Sequence, residues 1–183
     1  MNADETPPAR TVDPSRRNRA TVLVAVVTVV IVGIDLLVKQ LTVANLEGHE
    51  PVRILGGAIY LLCLRNSGAA FSFGTNATFV FPCIAVVVIG VIVWLTRRLA
   101  SLPWAVSYGL ILGGAAGNLG DRLFRAPGFF VGHVVDMISV FNSQGTGFPV
   151  FNIADSALTC GVALAVLLEF AGRRRDGSRV TTS

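Results

Sequence analysis

Four long apolar runs dominate the pattern of hydrophobic and polar positions along the chain. They cover residues 20–44, 77–95, 103–121 and 153–171, and each has about the 20 residues that a helix needs to cross a bilayer. The third run is rich in glycine and is the least hydrophobic of the four. The pattern predicts an all-α polytopic membrane protein, a small bundle of four transmembrane helices.

The amino-acid composition also indicates a membrane protein. Of the 183 residues, 52% are hydrophobic and 14% are charged, and the mean hydropathy is +0.66. The basic pI, about 9.5, implies no nucleic-acid partner, because arginines at the cytoplasmic face of a membrane account for it. The three cysteines, Cys63, Cys83 and Cys160, show no metal-ligand spacing, and their odd number argues against a disulfide framework.

The positions of arginine and lysine along the chain predict its orientation in the membrane. Ten of the fifteen lie in the first 19 residues, in the short loop after the second run, or beyond residue 171. With four spans these segments share one side, which is cytoplasmic by the positive-inside rule. We therefore expect a disordered cytoplasmic tail at 1–19 and a polar, basic and disordered one at 172–183. The outer loops, 45–76 and 122–152, are long, as functional loops often are.

Several polar residues interrupt the apolar runs. Asp35 and Lys39 stand at i and i+4 and are expected to form an ion pair on one helix face. Asn118, Asp121 and Arg122 share a face at the outer end of the third run. The neighbouring glycines are explained by close helix packing, but that polar face is not.

Two aspartates fall on the same outer side. Asp155 stands three residues after Asn152, and this spacing predicts a variant of the capping box at the start of the fourth helix. Asp136 interrupts the β-branched segment GHVVDMISVF and would, alone, suit a solvated loop. Two carboxylates at a shared, poorly solvated site hold one proton between them, which is the electrostatic condition of an aspartic protease.

The segments DLLVK, NSGAAFSF, GGAAGNLGDRL, GHVVDM and FNIADS occur in this order across residues 35–156. In these segments the chain resembles the bacterial lipoprotein signal peptidases, the type II signal peptidase family. The resemblance implies an aspartic endopeptidase that removes signal peptides from diacylglyceryl-modified prolipoproteins. Cleavage would occur N-terminal to the lipidated lipobox cysteine, with no cofactor and no metal.

The resemblance also implies a location, a surrounding structure and partners. The enzyme would be a multi-pass monomer of the bacterial cytoplasmic (inner) membrane, in contact with its prolipoprotein substrates and membrane lipid. Both termini would be cytoplasmic and the active site extracytoplasmic. A small extracytoplasmic β-cradle would come from VRIL, IYLL and VVDMISV, and a short interfacial helix from LRNSGAAFSF.

Individual residues match positions of the family's motifs. Asp136 and Asp155 match the catalytic dyad. The resemblance implies that four further residues bind substrate: Asn66, Asn118, Arg122 and Asn152. It implies a supporting role for three others: Asp35, Lys39 and Asp121. The chain departs from the family pattern in a longer connection at residues 125–130 and in Met137, where a bulky aromatic residue is usual.

Other classes of protein remain as alternatives. A small four-span ion or proton transporter could use the outer-side acids, although transporters usually hold such groups near the middle of the bilayer. A presenilin-like intramembrane protease would need its aspartates within helices and more spans. A non-enzymatic four-span scaffold would tolerate substitution of Asp136.

Overall fold

The computed structural model describes residues 13–68 and 78–179, and within these ranges it contains four α-helices and a three-stranded sheet. The expected combination of a helical bundle and a small sheet is confirmed. The helices are α1 (Pro14–Leu46), α2 (Val80–Thr96), α3 (Leu102–Phe124) and α4 (Ile153–Phe170), and the strands are β1 (Val52–Ile54), β2 (Ile59–Asn66) and β3 (Val134–Val140).

Helix α3 lies at the centre of the bundle and packs against α1, α2 and α4. Its glycines allow the close approach. A Cβ atom at Gly113 would lie 2.6 Å from the Cβ of Ile31 in α1, and one at Gly114 would lie 2.3 Å from the carbonyl oxygen of Ala154 in α4. Small residues at contacts are typical of membrane bundles, where helices associate through van der Waals packing. The predicted packing role is thus confirmed for Gly113, Gly114 and Gly117, whereas a Cβ atom at Gly120 would meet nothing within 4 Å.

Helix α1 exposes apolar side chains and buries charged ones, which is the opposite of a helix in a water-soluble protein. Val29 is 70% exposed, whereas Asp35 and Lys39 are 1% and 0% exposed. Buried charges are rare in proteins, and a row of exposed valines and leucines is costly in water. This distribution suits a helix whose outer face contacts hydrocarbon and whose charged residues face the interior of the bundle.

Helix length and hydropathy identify two candidate membrane spans among the described residues. Among the described residues, α1 and α4 are long and apolar enough to cross a membrane. Helix α2 is apolar but has 17 residues, and at about 1.5 Å per residue it is somewhat shorter than the hydrocarbon core. Helix α3 is less apolar because glycines and polar residues make up much of it. The four-span count remains a prediction.

The sheet covers the end of the bundle at which α1 and α3 end and α4 begins, which we call the sheet end. Its strands are antiparallel in the order β1-β2-β3 and arise from the three predicted segments. In the register of β2 and β3, Leu64 lies opposite Asp136 and Asn66 lies opposite Val134. Asn66 and Asp136 are therefore diagonal neighbours on one face of the sheet.

Two predicted segments differ in the structure. The expected interfacial helix LRNSGAAFSF starts inside β2, which continues to Asn66, and residues 69–77 lie outside the described part of the chain. Residues 14–19 belong to α1 and not to a disordered tail. The cause is local: the Asp13 carboxylate accepts a hydrogen bond from the Ser15 N–H at 2.9 Å, and proline occupies the first helical turn.

The C-terminal segment also differs from the expected disordered tail, because it folds back onto the loop between α2 and α3. The Ala100 N–H donates to the carbonyl oxygen of Arg175 at 2.9 Å. The indole N–H of Trp104 donates to the carbonyl oxygen of Arg173 at 2.8 Å. These contacts order residues 172–179, and polar composition alone does not reveal them.

Replacing Gly114 with alanine tests the contact between α3 and α4. The new Cβ atom would overlap the α4 backbone, and overpacking of this kind costs about 1–3 kcal/mol, so the thermal unfolding midpoint in detergent should fall. Gly120→Ala on the same helix is the matched control, since its Cβ atom would meet nothing within 4 Å. A Gly114→Ala midpoint equal to that of the control would contradict the close contact.

Candidate active site

Asp136 lies on β3 and is almost fully buried, at 1% exposure. Two amide groups donate to its carboxylate: Asn66 Nδ2 to Oδ2 at 2.8 Å, and Asn152 Nδ2 to Oδ1 at 2.7 Å. The first donor comes from the neighbouring strand and the second from the residue that caps α4. The carboxylate of Asp136 is therefore held in one orientation by two separate elements.

Asp155 occupies the first turn of α4, where the predicted capping box is confirmed. The Asn152 side chain accepts from the Asp155 N–H at 2.9 Å, and the Asp155 carboxylate accepts from the Asn152 N–H at 3.1 Å. The other carboxylate oxygen, Oδ1, accepts from Asn118 Nδ2 at 2.7 Å. The helix N-terminus also favours a negative charge at this position.

The amides of Asn118 and Asn152 join the two aspartates. Asn152 Nδ2 donates to Asn118 Oδ1 at 3.1 Å as well as to Asp136, while Asn118 Nδ2 donates to Asp155. The two protons of the Asn152 amide nitrogen are directed mainly to these two acceptors, and the Val135 carbonyl oxygen lies farther away, at 3.4 Å. The two carboxylates thus belong to one hydrogen-bonded unit.

Lys39 determines the orientation of the Asn118 amide within this hydrogen-bonded unit. Its ammonium group is fully buried and contacts Asp35 Oδ2 at 2.7 Å, Asp121 Oδ2 at 2.9 Å and Asn118 Oδ1 at 3.0 Å. The predicted ion pair between Asp35 and Lys39 is confirmed. An ammonium group can only donate, so the Asn118 oxygen must face Lys39 and its NH₂ group must face Asp155.

The two acids beside Lys39 also hold the backbone next to each dyad residue. Asp35 Oδ1 accepts from the N–H of Ala154, which precedes Asp155, at 3.0 Å. Asp121 Oδ2 accepts from the N–H of Val135, which precedes Asp136, at 3.1 Å. The ion-pair cluster therefore positions α4 and β3 relative to each other.

A cavity of about 330 Å³ opens beside the dyad. Both carboxylates line it, and the remaining wall combines three polar side chains with an apolar face from α2, α3 and α4. The polar residues are Asn66, Asn118 and Arg122, and the apolar ones include Phe81, Ile84, Val88, Leu119 and Leu158. A cavity with a few convergent polar groups on an apolar wall is the usual form of a binding site.

Arg122 and Asp121 point in different directions, although the sequence placed both on one polar face. Arg122 lines the cavity, donates from Nη1 to the Gly132 carbonyl oxygen at 3.1 Å, and lies 5.4 Å from the centre of the Phe81 ring. Asp121 contacts Lys39 and Arg125 instead. The polar face thus divides into a cavity side and a support side.

Burial makes Asp136 a weaker acid than a solvated aspartate. Desolvation is the main cause that raises the pKa of Asp136 to about 6, and the nearby charge of Asp155 acts in the same direction. The hydrogen bonds from Asn66 and Asn152 act against this rise because they stabilise the carboxylate. Asp136 is therefore largely neutral below about pH 6.

All nine residues selected from the sequence meet at the sheet end. They are Asp35, Lys39, Asn66, Asn118, Asp121, Arg122, Asp136, Asn152 and Asp155. Asn152, which was expected among the substrate-binding residues, is not one of the residues that line the cavity beside the dyad. Its side chain is 0% exposed and its amide protons are used by Asp136 and Asn118, so it is placed to orient the dyad.

Sequence reasoning missed two neighbours of the cluster. Arg125 forms an ion pair with Asp121, and the spacing of four residues on a helix was the available signal. Gly132 allows the chain to pass close to α3, because a Cβ atom there would lie 2.3 Å from the Asp121 carbonyl oxygen. In residues 13–68 and 78–179, no group of three or more His, Cys, Asp or Glu side chains could hold a metal ion.

The sequence of this chain is similar to those of known proteins. The family described as signal peptidase (SPase) II matches residues 27–171. A lipoprotein signal peptidase of Streptomyces coelicolor is 52% identical over 145 residues, which cover 79% of this chain and 69% of the relative. One from Rhodococcus jostii is 46% identical over 157 residues, covering 86% and 77% of the two chains.

Solved structures show a similar fold. A bacterial membrane enzyme structure obtained by the in meso method at 1.9 Å resolution superposes with a TM-score of 0.69 at 28% identity. The match covers 80% of this chain and 91% of that one. A second such structure, at 2.3 Å resolution, has a TM-score of 0.66.

Removing the Asn66 amide should raise the pKa of Asp136 above its value of about 6, because a hydrogen bond that stabilises the carboxylate is lost. The protonated-carboxyl band in infrared titrations, assigned through its loss in Asp136→Asn, measures this pKa. Asn66→Ala should move the titration midpoint to higher pH, and Asn142→Ala, at an exposed amide bonded to Thr146, should leave it unchanged. A lower or unaltered midpoint in Asn66→Ala would contradict the assigned contact.

Proposed function

The chain belongs to the signal peptidase II family of bacterial membrane aspartic proteases, and on that premise we propose that it removes signal peptides from prolipoproteins through Asp136 and Asp155. The observation that carries the proposal is that both carboxylates line one cavity. They are also linked by the amides of Asn118 and Asn152. This arrangement supports activation of one water molecule by two acids in different protonation states.

The two aspartates take different roles. We assign the proton to Asp136, because burial raises its pKa to about 6 and so favours its neutral form relative to a solvated aspartate. We assign the role of general base to Asp155, whose carboxylate accepts from the Asn118 amide and from the Asn152 N–H at the helix N-terminus. Two carboxyl groups with different environments divide the work of acid and base.

The reaction then proceeds without a covalent enzyme intermediate. Asp155 removes a proton from the water molecule while the water oxygen attacks the scissile carbonyl carbon. Asp136 donates its proton to the carbonyl oxygen. In the resulting geminal diol, Asp155 gives its proton to the leaving amide nitrogen as the C–N bond breaks. Asp136 recovers a proton from one hydroxyl group, which leaves a carboxylic acid and a free amine.

The walls of the cavity and the free-energy cost of removing apolar groups from the membrane together support a mode of substrate binding. We place the scissile bond immediately N-terminal to the diacylglyceryl-modified lipobox cysteine, with Asn66 and Arg122 on the cavity wall binding substrate backbone. The apolar wall continues onto α2, so the signal helix and acyl chains can stay in hydrocarbon. Leaving them there avoids a cost of about 0.8 kcal/mol for each CH₂ group extracted.

The membrane arrangement is part of the same proposal. Four spans place the sheet end and the dyad on the extracytoplasmic face of the cytoplasmic membrane, with both termini in the cytoplasm. The arginines at the other end of the bundle support this orientation. All nine site residues come from one chain, so a monomer suffices.

The distribution of charge does not favour a transporter. In the described part of the chain the buried charged side chains are those of the sheet-end cluster, namely Asp35, Lys39, Asp121, Arg122 and Asp136. A transport path would need polar groups that continue through the other half of the bundle. A site at one face suits a reaction on a peptide that arrives from the membrane surface.

Replacing either dyad residue should abolish cleavage. We expect Asp136→Asn and Asp155→Asn each to lower turnover of a diacylglyceryl-modified prolipoprotein by at least about 10²–10⁴-fold, since each removes an acid–base group. The purified protein in detergent, with products resolved by gel mobility, gives the rate. Asp176→Asn, at an exposed residue of the C-terminal segment, should keep wild-type turnover, and EDTA should not inhibit the wild type.

Equal unfolding midpoints would show that the dyad variants fold. Retained turnover in either variant would remove that aspartate from the mechanism. The family assignment would stand in that case, because it rests on the sequence match over residues 27–171.

Cysteine labelling tests the orientation. In a background with the native cysteines replaced by serine, Ser143→Cys should react with a membrane-impermeant maleimide added outside spheroplasts. Asp176→Cys should react only after permeabilisation, because the arginine-rich end lies inside. Both positions are exposed in the structure. Reaction of Asp176→Cys in intact spheroplasts would overturn the proposed orientation.

A further inference from the structure

A second cavity lies at the end of the bundle opposite the dyad, between the end of α2, the loop that follows it and the C-terminal segment. Its volume is about 730 Å³. We call it the arginine cavity, because five arginines line it together with the apolar side chains of Trp94 and Leu95. They are Arg97, Arg98, Arg173, Arg174 and Arg175.

The positive charge of the arginine cavity is not compensated within the described residues. Two acids, Glu169 and Asp176, share its wall, so five positive charges face two negative ones. None of the five guanidinium groups forms an ion pair with a carboxylate in that part of the chain, where the ion pairs are those of Lys39, Arg65 and Arg125. The cavity thus presents guanidinium groups that are available to an anion.

The arginines stand on an ordered backbone. The carbonyl oxygen of Arg175 accepts from Ala100, the carbonyl oxygen of Arg173 accepts from Trp104, and the Arg175 guanidinium lies 5.2 Å from the Trp104 ring centre. Leu99, in the loop beneath, is fully buried. Because the segment is already folded, less conformational entropy is lost when a ligand binds.

A second basic cavity adjoins the first and shares Arg173. It has a volume of about 460 Å³, and the charged residues on its wall are all basic: Arg16, Arg19, Arg173 and Arg179. The two cavities together extend the positive surface from α2 across to the start of α1. This positive surface can attract an anionic headgroup from the side of α2 or from the side of α1.

We infer that the arginine cavity binds the phosphate headgroup of an anionic phospholipid. Guanidinium groups bind phosphate through paired hydrogen bonds, and basic pockets between transmembrane helices at the cytoplasmic side suit anionic lipid headgroups. The lipid is favoured over a soluble phosphate because the wall also carries Trp94, which is 63% exposed, and continues onto the apolar face of α2. Tryptophan at such a position is typical of a membrane interface.

This site is separate from the dyad and does not depend on the proposed mechanism. It requires only that this end of the bundle lies at a membrane surface, as expected for a member of a membrane enzyme family. The bound lipid would link the C-terminal segment to α2. Binding can be measured without substrate, so its outcome is independent of turnover.

Tryptophan fluorescence provides a local probe, because of the two tryptophans of the chain Trp94 lines the cavity and Trp104 is buried beside the Arg175 guanidinium. The purified protein in neutral detergent would be titrated with phosphatidylglycerol carrying brominated acyl chains, which quench nearby tryptophan. Brominated phosphatidylcholine is the matched zwitterionic lipid. We expect saturable quenching by phosphatidylglycerol at about tenfold lower concentration, and loss of this preference at high salt.

The double variant Arg98→Gln/Arg174→Gln should lose most of the preference for phosphatidylglycerol, since two exposed guanidinium groups of the cavity are removed. Arg53→Gln/Arg65→Gln makes the same charge change at the sheet end and should keep the preference. Unfolding midpoints establish that both variants fold. The inference is overturned by equal quenching by the two lipids, by an unchanged preference in Arg98→Gln/Arg174→Gln, or by displacement of the lipid by equimolar inorganic phosphate.

Discussion

The buried ammonium group of Lys39 is the interaction on which the rest of the site depends. A charge inside a membrane bundle is tolerated only when it is paired and hydrogen-bonded. All three Lys39 protons have acceptors, namely Asp35, Asp121 and Asn118. Removing one partner of such a buried pair typically costs about 3–5 kcal/mol, because the other charge is left uncompensated. Loss of any partner is therefore costly, and the same cluster holds the backbone next to Asp155 and next to Asp136.

The direction of the hydrogen bonds carries this constraint to the two aspartates. Lys39 sets the Asn118 amide so that its NH₂ group meets Asp155, and Asn152 links Asn118 to Asp136. Asp155 gains donors at a helix end, whereas Asp136 is held in a poorly solvated place where its pKa rises to about 6. Two chemically identical side chains thus become different because their surroundings differ, as acid–base catalysis by a pair of carboxyl groups requires.

The two ends of the bundle have opposite electrostatic character. At the sheet end, acids and amides are buried and paired around the cavity beside the dyad. At the other end, arginines remain accessible around the arginine cavity, and the C-terminal segment is folded against the loop between α2 and α3. The central helix α3 connects the two ends, and its glycines bring α1 and α4 close enough for the buried contacts to form. This polarity is consistent with the orientation proposed above, in which the arginine-rich end is cytoplasmic.

The sequence by itself determined the features that depend on short spacing. The pair Asp35 and Lys39 and the capping box of Asn152 and Asp155 follow from helix geometry, and the three strands were implied by the resemblance to the family. The tertiary structure decided contacts between distant residues, such as Lys39 with Asn118, 79 positions apart, and Asn66 with Asp136, 70 positions apart. It also decided that the Asn152 amide donates to both Asn118 and Asp136 and that the C-terminal segment folds back onto the loop between α2 and α3. Those outcomes depend on how α3 packs and on the register of β2 with β3, and neither local propensity nor hydrophobic period fixes them.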